Sequence, residues 1–423
     1  MKRVIRLTTL IGSTAAAVAF AGTKFPPAEP PTEMLMAAER PAISETDRAA
    51  NVMKAAETLA RAGKDDALKA AAYMEASRYF EAAGEYRKAA TWAVEASKKI
   101  RNGAEAGAAL LRAGQMWERA GEFKKGAKVF ERLYKTDAYK DHPFAFGGET
   151  ITLGEAAALQ AGVCRELIGD YKGAARNYGD YVTAYKARPA PIIWAHYRRG
   201  RALAAGGKDA DARDAFQKAL DVVRSFAGNP AYDLSPALDA AAGAEFYRAE
   251  YDYREFVSLK LELPQERMER NLREMLTISQ KLVGAYNDVA AAGVPAWEVA
   301  ARCRLGDTYG AFAVALAAAE IPKEINPKSW RHKKTGDPAR TSGENGYNAY
   351  KDALDKQLQP LRRNAFDSYK GALKAAAGAG IDGEWSRRAR EEHERLGKEF
   401  GFVDAPAPME VPPETEMGHN GKD

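Results

Sequence analysis

Cysteine is nearly absent. Cys164 and Cys303 are the only two in 423 residues, so no disulfide framework holds this chain and its size must supply the core. Each lies in an alanine-rich helical context, where a free thiol packs as a small hydrophobe, and buried thiols are the expectation. Histidine is also scarce: His142, His196, His332, His393 and His419 include no two at metal-ligand spacing on one helix. No run alternates as a strand does, so no strand is expected, and with it no glycine loop cradling phosphate. Gly-x-Ser-x-Gly is missing too. Asp209, Asp211 and Asp214 briefly suggest a calcium loop, but Ala212 stands where a ligand is needed; as the start of a helix the acids make ordinary sense. No catalytic residue, metal or cofactor is expected.

Charge of one sign is also lacking. The formal net charge is +5, and removing Lys2, Arg3 and Arg6 with an expected leader leaves +2 (5 minus 3), too little to imply a nucleic-acid partner. Long apolar runs are confined to Leu7 to Ala21, short of the about 20 residues of a spanning helix. With its basic start and Ala19-Phe20-Ala21, the segment 1–21 reads as a secretory signal cleaved before Gly22; an uncleaved anchor is the other reading. Neither lipid attachment nor twin-arginine export is indicated, since no Cys follows that site and no arginines are consecutive there.

What the chain does have is a repeat. Gly114, Trp117, Gly121, Phe123, Gly126, Phe130 and Leu133 mark two short helices hinged near Gly121. The same spacing returns in Ser77, Phe80, Gly84, Tyr86, Ala89, Ala93 and Ala96. It returns again in Gly162, Arg165, Gly169, Tyr171, Ala174, Tyr178 and Tyr181, and in Gly200, Leu203, Gly207, Asp209, Ala212, Phe216 and Ala219. Such a pair cannot bury both faces alone and so predicts stacked neighbours. Over roughly residues 70–226 the pattern resembles the tetratricopeptide repeat, a helix-turn-helix unit of about 34 residues. The resemblance implies an all-α, TPR-type α-solenoid that binds other proteins.

Around the repeats, residues 22–43 carry five prolines and read as an extended linker. Ser44 caps a helix expected to end near Gly63 and to cover the first repeat. Asp141 to Gly154, with His142, Pro143, Gly147 and Gly148, is expected to be a loop, either a spacer or a binding element. The TPR-like region 44–264 closes with a degenerate fifth repeat containing Gly243, Phe246 and Tyr247, stopped by Pro264. The C-terminal helical region 265–403 is expected to add antiparallel pairs. Helices 265–291 and 295–321 form a pair lacking the strict signature, helix 347–377 is kinked or broken by Pro360, and a last charged helix runs from Trp385 to Phe400. The tail 404–423 is rich in Pro and Glu and expected to be disordered.

Residues one step off the buried face of each first helix should line the concave groove. These are Met74, Arg78 and Glu81; Leu111, Gln115 and Glu118; Leu159, Val163 and Glu166; and Trp194, Tyr197 and Arg201. The last set joins the three side-chain types most enriched at interface hot spots; its competing reading packs Trp194 against a neighbouring repeat. The segment 321–343 is a secondary candidate, a basic loop with Trp330, Arg331, Lys333 and Lys334, either solvated or making peripheral contact with acidic partners or anionic lipid.

A second resemblance rests on Leu282, Tyr286 and Val289, on Trp297, Ala301, Gly306 and Phe312, and on Tyr350, Leu354, Ala365, Tyr369 and Leu373. The chain is similar there to periplasmic or outer-membrane-associated repeat proteins of gliding-motility and envelope machines in deltaproteobacteria. That implies an exported scaffold whose partners are other envelope proteins. An assembly factor for a secretion, pilus or polysaccharide-export pore is the alternative, and a peptidoglycan-acting enzyme a more distant one.

Overall fold

The computed structural model describes residues 64–403 except 147, 148 and 322, together with Lys54, Glu57 and Arg61. The leader, the linker, the tail and nearly all of the helix expected before Gly63 lie outside the described residues.

Each repeat begins with a helix whose C-terminus is closed by a left-handed glycine. Gly84, Gly121, Gly169 and Gly207 have φ of 75, 71, 73 and 73°, a conformation that costs other residues a clash with their own carbonyl. The next amide then reaches back five residues: Glu85 N–H to Phe80 O at 2.8 Å, Glu122 to Trp117 at 2.8 Å, Asp170 to Arg165 at 2.9 Å and Lys208 to Leu203 at 2.8 Å. This cap turns the chain sharply into the second helix. The pairs are α1 (Asp66–Ala82) with α2 (Tyr86–Lys99), α3 (Gly103–Arg119) with α4 (Phe123–Lys135), and, after a single turn α5 (Asp137–Lys140), α6 (Leu153–Leu167) with α7 (Tyr171–Ala184). The fourth is α8 (Pro189–Ala205) with α9 (Asp209–Phe226).

Within a pair, an aromatic ring of the second helix lies on a glycine of the first. A Cβ at Gly200 would stand 2.5 Å from Phe216 Cε1, and one at Gly162 would be 2.7 Å from Tyr178 Cδ1; Phe130 crowds Gly114 in the same way. Gly200→Leu should therefore destabilise by about 1–3 kcal/mol through overpacking, with Ala212→Trp similar, since Ala212 is fully buried. Because neighbours share the core, the loss should spread into the third repeat. Denaturant melts of both variants indistinguishable from the parent would refute this register.

One expectation is corrected here. The insertion before α6 is not a plain loop but a hairpin of β1 (Pro143–Phe146) and β2 (Glu149–Thr152), with Phe144 opposite Ile151. Four-residue strands are too short for alternation to show. Ile151 is buried, and Thr152 caps α6 by accepting from Glu155 N–H at 3.0 Å. In the C-terminal region α11 (Gln265–Ala291) packs against α12 (Pro295–Ala317), as expected, and also against α10 (Leu238–Ser258), while α12 packs in turn on α14 (Pro338–Ala379).

The second-helix signature then continues in Leu282, Tyr286 and Val289, and in Ala365, Tyr369 and Ala372, all buried. Gly306 again meets an aromatic ring, a Cβ there lying 2.6 Å from Tyr369 Cε1. Six pairs stack in one solenoid, closed by α15 (Glu384–Phe400), which packs on α12 and α14. Pro360 does not interrupt α14. It lies exposed, so water replaces the amide it lacks. Among the described residues no helix is long and apolar enough to cross a membrane.

Candidate protein-binding groove

The first helices α1, α3, α6, α8, α10 and α12 are joined by a recurring polar rung. A Glu four residues after the small position reaches the next first helix, two residues before its own small position. Glu81 accepts from Arg112 and from Arg119 at 2.9 Å. Glu118 accepts from Gln160 and from the Cys164 thiol at 3.2 Å. Glu166 takes Tyr178 Oη–H at 3.0 Å and Arg198 at 2.9 Å.

Ala204 interrupts the series, and the last junction uses Glu250, which accepts from Arg304 Nε and Nη2 at 2.7 Å each and from Tyr286 at 2.8 Å. Glu81, Glu118 and Glu166, expected in the groove, are thus consumed in holding repeats together. The rungs carry a sequence signal, Glu at +4 and Arg or Gln at −2 of the following repeat, which emerges only when successive repeats are compared.

Of the other expected groove residues, the structure separates three kinds. Leu111, Val163 and Tyr197 are buried at 5, 5 and 4% exposure, because the alanine-rich first helices approach closely enough to cover them; these are corrections. Tyr197 in particular lies among Phe216 and Tyr247, with ring centroids 6.3 and 6.2 Å away. Met74, Gln115 and Leu159 are half-buried, and Arg78 is exposed beside Glu75.

Trp194 is half-buried, edge-on to Tyr178 of the preceding repeat at 5.8 Å, and Arg198 stacks over it at 5.2 Å. This is the packing reading, with part of the ring still in the groove. Arg201 stands over Tyr197 and Tyr247 at 5.7 and 5.8 Å. Its only hydrogen bond is a long one, 3.5 Å to Tyr197 Oη; its Nε is buried without an acceptor.

Arg201 lacks the carboxylate that several other arginines of the first helices have. The buried Arg198 has Glu166, Arg304 has Glu250 and Asp307, and the largely buried Arg165 has Glu131 and Asp170. Among the described residues no carboxylate lies within ion-pair distance of Arg201. A guanidinium half-buried and left without an anion is costly, and two tyrosine faces compensate only in part.

The secondary candidate changes character. Trp330 is buried, not presented to a partner: its indole N–H donates to Ile325 O at 3.1 Å and its ring lies on Gly343. Arg331 and Lys334 are exposed and Lys333 half-buried. Cys164 and Cys303 are both buried and free, as expected. Among the described residues no three His, Cys, Asp or Glu side chains gather as metal ligands would.

The fold is a tetratricopeptide-type α-solenoid. No protein-family model matches the chain, and no curated protein does. Among solved structures, a TPR-repeats protein of Bacteroides fragilis is similar over 69% of this chain and 98% of its own, with a TM-score of 0.32 and 12% identity. A tetratricopeptide repeat protein of Parabacteroides merdae is similar over 78% of this chain and 98% of its own, with a TM-score of 0.31 and 13% identity.

Proposed function

We propose that this protein is a non-catalytic scaffold that gathers other proteins in a bacterial cell envelope, in a motility or related machine, after export to the periplasm or the outer-membrane surface. The groove at α8 takes an acidic segment of a partner, whose carboxylate meets Arg201 between Tyr197 and Tyr247 while the free edge of Trp194 covers the neighbouring chain. The single observation behind this reading is Arg201, a half-buried arginine whose Nε is covered and which has no carboxylate of its own. Export rests on the leader-like 1–21 segment alone.

The test begins with a partner captured by crosslinking in the source cell. Arg201→Ala should then weaken binding about thirtyfold, some 2 kcal/mol, with the thermal melt preserved, and Trp194→Ala should weaken it less. Tyr197→Ala should act differently, lowering the melt itself. Undiminished binding by Arg201→Ala would remove the groove from consideration.

A further inference from the structure

The long insertion between α12 and α14 builds a small lobe on the first half of α14. Before Leu358 only Gly343 of that helix is buried, so roughly 30 Å of helix, at 1.5 Å per residue, carries the lobe with little support from the core. The lobe is nonetheless folded. Its short helix α13 (Pro327–Trp330) is capped by Asn326, whose side chain accepts from Lys328 N–H at 3.0 Å. Trp330 lies on Gly343, and a Cβ at Gly346 would stand 2.6 Å from Ile325 Cγ2. Arg340 ties the loop back by donating to Lys333 O at 2.9 Å.

The apolar side chains of the lobe are therefore used internally, and its outside is cationic. Lys323, Lys328, Arg331, Lys333 and Lys334 face only Glu324 and Asp337 in the same stretch, a local charge of +3 (five minus two). Among the described residues none of the five forms an ion pair, in contrast to Arg340, which takes Glu344 at 3.0 Å.

We infer that this lobe docks onto an anionic lipid surface, with Lys323, Lys328, Arg331, Lys333 and Lys334 against the headgroup phosphates. Two features favour lipid over an acidic protein. Among the described residues the lobe offers no exposed aromatic or aliphatic anchor of the kind that carries protein interfaces. Four of the five cations are lysines, point charges that suit a diffuse layer of phosphates better than the paired geometry of a carboxylate. Each such cation near an anionic leaflet multiplies the binding constant about fivefold, so several together produce a salt-sensitive attachment without insertion.

The experiment is co-sedimentation of the full chain with vesicles of phosphatidylcholine alone and of phosphatidylcholine mixed with phosphatidylglycerol, at low and high salt. Binding is expected only to the mixed vesicles and only at low salt. Lys328→Glu/Arg331→Glu/Lys334→Glu should reduce it at least tenfold with an unchanged melt. The control Lys186→Glu/Lys208→Glu/Arg270→Glu alters the net charge equally at exposed positions elsewhere and should bind nearly as the parent does. Equal binding by the lobe variant, equal loss in the control, or no binding to mixed vesicles overturns the proposal. Retention on immobilised polyglutamate without vesicle binding would overturn it in favour of an acidic protein.

Discussion

Arg304→Met is expected to open the C-terminal end of the solenoid while leaving the first repeats folded. Arg304 is 3% exposed, held between the faces of Tyr253 and Trp385 at 4.6 and 4.8 Å. It bridges Glu250 of α10 and Asp307 of its own helix, and Asp307 in turn accepts from Tyr369 of α14 at 2.8 Å and Arg388 of α15 at 2.9 Å. Four elements meet at one guanidinium. Burial by itself pulls its pKa down, but the attraction and hydrogen bonds of Glu250, with Asp307 and Tyr286 behind them, together hold it well above the usual arginine range.

Methionine fills much of the same space but leaves Glu250 buried with only Tyr286 as a donor, and breaking a buried pair from one side costs about 3–5 kcal/mol. In a stack where each repeat contacts only its neighbours, that loss is local first. Hydrogen exchange should therefore accelerate in α12, α14 and α15 before it does in α3 to α7. Adding Glu250→Gln should recover part of the loss, because the stranded charge goes with it. Uniform, unchanged protection along the chain would show that the network contributes nothing.

The parts of the fold that were legible in sequence are those fixed within one repeat. Gly200 and Phe216 are 16 residues apart (216 minus 200) because two short helices and one left-handed cap leave no slack, and Gly162 with Tyr178 repeats the distance. Gly306 and Tyr369 make the same contact across 63 residues (369 minus 306). There the lobe and the exposed half of α14 intervene, so spacing no longer reports contact.

The groove was harder to read for a different reason. Which side of a first helix stays open depends on how closely the next repeat approaches, and that is set by residues on another helix. Tyr197 looked solvent-facing until Tyr247 of α10 was brought over it, whereas Arg201, one turn on, keeps its place between the two rings. Sequence named Trp194, Tyr197 and Arg201 together as groove residues and could not show that the tyrosine would be covered while the arginine is left without a carboxylate.

Glu118 makes the second repeat junction dependent on pH, and the dependence should vanish in Glu118→Gln. The neighbouring rungs give their glutamates an arginine, Arg112 for Glu81 and Arg198 for Glu166. At this junction the corresponding residue is Gln160, and the other partner is the neutral thiol of Cys164. Burial raises the carboxyl to about 7, the two hydrogen bonds opposing it only in part. Because the folded value lies above the ordinary glutamate value of 4.5, the folded state holds the proton more tightly than the unfolded one. This contribution is then complete below about pH 4.5 and is lost as pH rises through 7. The full span is about 3 kcal/mol at 1.36 kcal/mol per pKa unit.

Melting curves between about pH 5 and about pH 8 should show the parent weakening as pH rises. Glu118→Gln should lie flatter and above it at the alkaline end. Gln160→Arg should do the same by another route, supplying the cation that the adjacent rungs already have and keeping the carboxylate charged at no cost in stability. Parallel curves for parent and both variants would mean that Glu118 is ionised in the folded protein without penalty, and that the junction between α3 and α6 is no different from its neighbours.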